Sequence, residues 1–305
     1  MRVAITGADG FVGRHLRAHL AARGDAVLAM AGPPAGPGEP LTVDVLDPDA
    51  LTRALAPFEP GAIVHLAGVS SVAKSHEAPL ETFRVNALGA LNLCAVVHAV
   101  APRARVLLVG SGEMYGSITP GERATETSPL VPTSPYAASK VAAEVAAMQF
   151  HRAYGLHVIA ARPFNHLGRG QAPTFAIPSF ARQLCAMQGA GILSVGNLEP
   201  VRDFSHVEDV VAAYRLLLDR GVAGEAYNVS SGIGRTVRSV VEEMILASRV
   251  AARIEVDPAR LRPVELPYLV GDSAKLRALG WAPKRTVRDA LDDAIAEARE
   301  ARTAS

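Results

Sequence analysis

Tyr136 and Lys140 stand four residues apart in a Tyr-Ala-Ala-Ser-Lys run, a spacing that places both side chains on one face of a helix. Ser134 and Pro135, immediately before them, supply a helix start. A phenol titrates at about 10 and transfers protons slowly at neutral pH. An ammonium one helical turn away favours the phenolate and brings the group toward a working range. The pair therefore predicts proton transfer. Ser111 opens a second cluster, Ser111-Gly112-Glu113-Met114-Tyr115-Gly116, directly after the apolar run Val106–Val109. A serine there can hydrogen-bond a substrate carbonyl or hydroxyl alongside Tyr136. Alone, a Tyr/Lys pair is an ordinary feature of an exposed helix, and a serine is an ordinary turn or cap residue. The chemistry rests on their coincidence.

A third cluster lies near the N-terminus, where Gly7, Gly10 and Gly13 form a GxxGxxG pattern between the strand-like run Val3–Ile5 and a helical stretch from Val12. In that place Gly7 permits a tight turn, Gly10 lets backbone approach a pyrophosphate, and Gly13 allows close helix–sheet packing. Phe11 and Val12 open the helix whose N-terminus then faces the phosphates. The pattern predicts a dinucleotide site. Asp44-Val45 and Leu66-Ala67-Gly68 each follow a strand, where an adenine lies against the strand ends. Asn86 reads either as a polar position on a helix face or as a prop for the active-site backbone. A carboxylate about 20 residues beyond the glycines takes the ribose hydroxyls of NAD, whereas a basic residue favours the 2′-phosphate of NADP. Ala29-Met30-Ala31-Gly32 supplies neither, so NAD(H) and NADP(H) both stay open as cofactors.

These groups need a scaffold that gathers loop ends on one edge. The short apolar runs Val3–Ile5, Ala26–Ala29, Ala62–Leu66, Val106–Val109 and Val158–Ala161 alternate with helical stretches at Val12–Arg23, Asp49–Ala56, Thr82–Val100 and Pro135–Tyr154. Repeated strand–helix units predict an α/β fold, a doubly wound parallel sheet of the Rossmann type. The Ser111 cluster then falls at the carboxyl end of a strand, where such sheets place ligands. The stretch Gly32–Pro40 reads as a surface loop. After about residue 165 the pattern loosens, with seven prolines from Pro173 to Pro283, which predicts a smaller, mixed α/β substrate-binding lobe. The expected division is 1–165 for the dinucleotide-binding domain and 166–305 for the second lobe. The segment 205–230, with the helix Val207–Leu218 and the strand Ala226–Val229, is expected to return to the first.

Composition narrows the function classes. The 305 residues carry 31 basic and 30 acidic side chains, a formal net charge of +1, which gives no footprint for nucleic acid or for an anionic membrane. Hydrophobic residues at 49% against 20% charged mark a globular chain. Cys94 and Cys185 lie far apart without a CxxC, which argues against a disulfide scaffold or thiolate metal site and fits a reducing compartment. No metal is expected. No apolar run approaches the ~18 residues of a membrane span, and the strand-like Arg2-Val3-Ala4-Ile5 begins at once, without a signal peptide. A cytoplasmic protein is expected.

The glycine pattern, Ser111, Tyr136 and Lys140, at these spacings, resemble the extended short-chain dehydrogenase/reductases, the NAD-dependent epimerase/dehydratase family. The resemblance spans essentially the whole chain. It narrows at Arg162-Pro-Phe-Asn165-His166-Leu-Gly-Arg-Gly-Gln171, at Val195 to Phe204 with Arg202-Asp203, and at Leu261-Arg262-Pro263-Val264-Glu265. These runs look like those of GDP-6-deoxy-4-ketomannose reductases, the GDP-D-rhamnose synthases. GDP-mannose 4,6-dehydratases share the framework, but their Asn-His segment more often continues Glu-Ser-Pro-Arg-Arg. Arg169 departs from the proline usual in the reductases, and Gly112 from the serine usual in both groups. The resemblance implies reduction of the C4 ketone of a nucleotide-linked 4-keto-6-deoxyhexose, with GDP as the favoured nucleotide. Tyr136 would supply the proton, Ser111 would polarise the oxygen, and Lys140 would hold the nicotinamide ribose. Asn165 would hold the sugar nucleotide, Arg202 and Arg262 the diphosphate, and Glu265 the nucleoside side, while His166 reads as structural. Glu113 matches the carboxylate that takes the C5 proton in the dehydratases, so a 4,6-dehydratase is the first alternative and a 4-epimerase the second. A dinucleotide-binding redox sensor without chemistry is the non-enzymatic one. The family also implies a homodimer through the Tyr136 helix, whose Ala137, Ala138, Val141, Ala142, Val145 and Ala146 suit close helix packing.

Overall fold

The computed structural model describes residues 1–33, 40–187, 189–261 and 265–303. The first half runs β1 (Arg2–Thr6), α1 (Phe11–Ala22), β2 (Ala26–Ala31), β3 (Leu41–Thr42), α2 (Pro48–Phe58), β4 (Ala62–His65), α3 (Val72–Glu77) and α4 (Pro79–Phe83). It continues through α5 (Gly89–Val100), β5 (Arg105–Val109), α6 (Pro135–Tyr154) and β6 (His157–Pro163). Then come β7 (Asn165–Leu167), α7 (Ala176–Ala186), β8 (Gly191–Val195), β9 (Val201–His206), α8 (Val207–Arg220) and β10 (Ala226–Val229). The rest is β11 (Gly234–Thr236), α9 (Val237–Ser248), β12 (Ala252–Val256), β13 (Tyr268–Leu269), α10 (Ala274–Ala278) and α11 (Val287–Thr303).

Seven parallel strands form the main sheet in the order β10-β6-β5-β4-β1-β2-β3. Side chains alternate across it, as the strand period requires. Val3 and Ile5 of β1 join Leu16, Leu20 and Leu217 of α1 and α8 on one face. Ala4 joins Leu51, Leu93 and Phe150 of α2, α5 and α6 on the other. With helices on both faces the central strands are buried, and this is the Rossmann-type doubly wound fold. Strand β10 closes one edge, pairing in parallel with β6 at Ala226↔Ala160. A smaller mixed lobe holds β7, β9, β11 and β13 in one sheet and the parallel pair β8–β12 in another. Its core is built from α7, α9 and α11, with Phe180, Leu184, Val240, Met244, Leu291 and Ile295.

The helix read at Thr82–Val100 is broken in character. Arg84–Leu88 forms one π turn between α4 and α5. The extra residue in such a turn rotates the next side chain, and Asn86 there is 2% exposed. Together Pro79–Val100 make one helical run of 22 residues, apolar enough by length and composition to cross a membrane. That corrects the expectation that nothing approaches this length. The run packs against α2 and α6, with Ala90, Leu93, Cys94 and Val97 fully buried.

Asn86 settles its two readings in favour of the prop. Its Oδ1 accepts from Val69 N–H at 2.7 Å, and its Nδ2 donates to Val69 O at 3.1 Å and to Ser139 Oγ at 2.9 Å. It thus ties the loop after β4 to α6. Asn86→Ala leaves the half-buried Val69 N–H and C=O and the buried Ser139 hydroxyl without this partner, and is expected to lower unfolding free energy by about 1–3 kcal/mol. Urea denaturation with an unchanged midpoint would refute it.

Candidate active site

One cleft of about 740 Å³ runs along the carboxyl ends of the main strands. Gly7, Gly10, Phe11, Val12, Gly13, Asp44, Val45, Leu66, Ala67, Gly68, Ser111, Glu113, Tyr136, Lys140 and Asn165 all line it. At one end the chain turns sharply at Gly7, with φ +67°, where a side-chain carbon would lie 2.8 Å from Ala67 N. A side chain on Gly13 would lie 2.3 Å from Gly7 O, so α1 packs directly on the turn that precedes it. The N-cap of α1 is Gly10, with no side-chain cap. The first amides of a twelve-residue helix therefore open on the cleft, the arrangement that suits an anion such as a pyrophosphate. Phe11 stacks on His166 at 5.9 Å between ring centroids, and His166 Nδ1 bonds Phe164 O at 2.9 Å.

The floor is fixed by polar contacts beneath it. Thr6 Oγ1 accepts from Ala67 N–H at 3.2 Å and pairs with His65 Nδ1 at 2.8 Å. Burial, then the Lys140 charge, push His65 down to about 3, so the ring is neutral and acts as scaffold. Asp44 Oδ1 accepts from Leu46 N–H at 2.9 Å, holding the loop against which an adenine would rest. At the adjoining end of β2, Ala31, Gly32 and Pro33 bring no charge.

At the other end lie the reacting groups. Helix α6 starts at the cap formed by Ser134, whose Oγ accepts from Ala137 N–H at 3.1 Å, with Pro135 at its first position. Tyr136 and Lys140 share the face turned to the sheet, and Lys140 Nζ donates to Val109 O at 3.0 Å. Ser111 caps the short turn Gly112–Tyr115, its Oγ accepting from Glu113 N–H at 3.2 Å. Its hydroxyl and the Tyr136 phenol line the same part of the cleft. Burial lowers Lys140 to about 8. Tyr136, however, is pushed up to about 12, by burial first and by the Glu113 carboxylate second, with only the nearby Ser111 hydroxyl opposing. In this cleft the ammonium is costly to keep charged, and a phenolate beside a carboxylate is costlier still. The fall toward neutrality expected of Tyr136 calls for an oxidised nicotinamide beside it as well as Lys140.

The other proposed contacts divide. Asn165, first residue of β7, is exposed to the cleft. Arg202 on β9 donates to Val201 O at 2.9 Å, and Glu265 accepts from Asn197 Nδ2 at 2.7 Å. Neither lines the cleft wall. Arg262 lies outside the described residues. Sequence reading passed over Thr6, His65, Tyr214, Arg84 and Phe175, of which the last three line the cleft. Thr6 and His65 end adjacent strands β1 and β4, a position at the ligand-bearing edge that marks polar residues there.

Comparison with known proteins agrees with this geometry. Residues 3–230 match the model of the NAD dependent epimerase/dehydratase family. GDP-6-deoxy-D-mannose reductase of Pseudomonas aeruginosa is 39% identical over 297 residues, covering 95% of this chain and 94% of that protein. The structure of RMD from Pseudomonas aeruginosa complexed with NADPH superposes with a TM-score of 0.87 at 34% identity, covering 99% of this chain and 100% of that one. UDP-glucose 4-epimerase of Thermus thermophilus, complexed with NAD, superposes at 0.89 with 32% identity, again over 99% and 100%. The chain belongs to the NAD dependent epimerase/dehydratase family.

Proposed function

We propose that this chain is an NAD(P)H-dependent reductase of the C4 ketone of a nucleotide-linked 4-keto-6-deoxyhexose, converting GDP-4-keto-6-deoxy-D-mannose to GDP-D-rhamnose. The observation that carries the chemistry is the gathering of Ser111, Tyr136 and buried Lys140 in the cleft that the glycine turn opens. The near full-length likeness to a GDP-6-deoxy-D-mannose reductase supports the sugar and nucleotide. The glycine turn and the uncapped start of α1 fit a dinucleotide pyrophosphate. The bound nicotinamide supplies hydride. Ser111 and Tyr136 donate to the ketone oxygen, and Tyr136 passes its proton as negative charge develops there. Lys140 holds the cofactor ribose and stabilises the phenolate left behind. With no charge at Ala31–Pro33, cofactor choice lies open to both NADH and NADPH.

Asn165, which lines the cleft, holds the sugar. The likeness to the reductases is what supports Arg202 and Arg262 at the diphosphate and Glu265 at the nucleoside side, since Arg202 and Glu265 stand off the cleft wall. Glu113, facing Tyr136, would be the base at C5 in a dehydratase, but the reductase-like sequences carry glutamate there as well, so its presence does not decide between the two reactions. The buried, unpaired thiols of Cys94 and Cys185 fit a cytoplasmic location. On α6, Ala138, Val141, Ala142, Val145 and Ala146 face outward and Val145 is 57% exposed, near exposed Leu80, Leu88 and Leu91, whereas Ala137 turns into the core. That face supports a homodimer.

Incubating the enzyme with GDP-4-keto-6-deoxymannose, GDP-mannose and their UDP, dTDP and CDP counterparts, with product analysis, tests the reading directly. Tyr136→Phe is expected to lower kcat by about 10²–10⁴-fold with cofactor binding kept, and a variant near wild-type kcat would remove Tyr136 from the role of proton donor. Glu113→Gln is expected to cost about tenfold or less, the loss of a hydrogen bond of ~1.5 kcal/mol. A loss of about 10²–10⁴-fold, together with loss of solvent exchange at C5, would make the enzyme a dehydratase. Light scattering at micromolar concentration is expected to give twice the chain mass; monomer alone would reject the dimer.

A further inference from the structure

A buried ring of contacts joins the Tyr136 helix to the Ser111 turn from behind the cleft. Tyr136, Lys140 and Glu144 follow at four-residue steps on α6, so the Glu144 carboxylate continues the stripe that carries the two reacting groups. Arg162 in β6 forks onto it, Nε donating to Oε2 at 3.0 Å and Nη2 to Oε1 at 2.5 Å, and each residue is 6% exposed. Arg162 Nη1 donates to Tyr115 Oη at 2.8 Å and to Glu126 O at 3.0 Å. Tyr115 Oη donates in turn to Asn228 Oδ1 at 2.7 Å. Tyr115 ends the short turn that Ser111 caps, and Ser111 lines the cleft with Tyr136. From Tyr136 along α6 to Glu144, across Arg162 and Tyr115, and back along the turn to Ser111, the contacts close on the reacting pair of hydroxyls. Glu144, Arg162 and Tyr115 do not line the cleft.

We infer that Arg162 and Tyr115 are positioning residues that fix the proton donor against the turn bearing Ser111 and Glu113, an inference that rests on the reading of this cleft as a reductase site. A forked guanidinium–carboxylate pair is geometrically rigid. Proton transfer needs heavy atoms within hydrogen-bond reach, and a displacement of about 1 Å costs about 10²-fold. Behind the site, the ring allows neither α6 nor the turn to move alone.

Two variants test it. Tyr115→Phe keeps the ring beside Phe164, 6.2 Å between centroids, and removes only the hydroxyl. Arg162→Lys keeps the charge facing Glu144 and loses the fork. Each is expected to lower kcat about tenfold, with KM and the fluorescence-titrated NAD(P)H affinity within about twofold, since the hydrogen bonds it breaks hold the turn rather than either ligand. The double variant is expected to fall no further than the worse single one, because both break one ring. Amide hydrogen exchange across Ser111–Gly116 is expected to quicken while β5 is unchanged. Wild-type kcat in Tyr115→Phe, a parallel loss of cofactor affinity, or faster exchange throughout the sheet would each overturn the inference. A wild-type enzyme inert toward every 4-keto nucleotide sugar would sink the substrate reading instead, and the exchange measurement then decides the positioning role by itself.

Discussion

The reaction end of this molecule depends on where α6 is pinned to the sheet. Tyr136 must stand over the carboxyl edge of the strands, yet the helix face that carries it also buries Ser139, Lys140 and Glu144, each at most 8% exposed. Three polar side chains on one buried face would be costly unless each met a partner. Each does: Ser139 accepts from Asn86, Lys140 donates to the Val109 carbonyl, and Glu144 takes the Arg162 fork. The partners come from the π turn, from β5 and from β6, so the helix is fixed at three points along its length. A buried ion pair such as Glu144–Arg162 adds little net stability over apolar packing of the same volume. What it adds is a single geometry, and the site is where a single geometry matters.

That placement sets the electrostatics. Pinning Lys140 into the helix–sheet interface lowers it to about 8, and pinning Tyr136 beside Glu113 raises it to about 12. The two shifts share a cause, the low polarity of the interface, which disfavours charge of either sign. The phenol therefore keeps its proton until a stronger base, an oxygen gaining negative charge next to it, draws the proton away.

Much of this was legible in the residues. Period and punctuation located every strand of the main sheet except the two-residue β3, which carries too few residues to show a period. Ser134-Pro135 marked the start of α6, and the glycine spacing marked the turn at the other end of the cleft. What escaped depends on contacts distant in the chain. The π turn at Arg84–Leu88 leaves no mark in an apolar helical run. Asn86 could not be assigned until Val69 and Ser139, 17 and 53 residues away, were seen against it. Spacing showed that Lys140 is close to Tyr136, but not that Glu113 faces the phenol or that Lys140 is buried. Arg202 and Glu265, plausible by type, stand off the cleft wall, a matter of lobe packing rather than of local sequence.

The joint between the lobes explains how a mixed second lobe brings anything to the cleft. Chain leaving β6 passes through Phe164, whose ring is wedged between Gly112 and Gly271, where side-chain carbons would lie within 2.9 and 2.5 Å of it. The next residue, Asn165, begins β7, which pairs in parallel with β9 at Phe204. One residue earlier on β9, the buried Asp203 carboxylate accepts from Ser231 N–H and Oγ–H, Gly232 N–H and Gly271 N–H. Burial pushes that carboxyl up, and these bonds offset part of the rise. Asp203 therefore gathers the chain after β10 and after β13 onto the strand that carries Asn165's partner. Gly112 on the reacting turn and Gly271 on this gathered loop pack on the same ring, so Phe164 joins the second lobe to the turn that carries Ser111, and only the small size of both glycines leaves room for the ring between them.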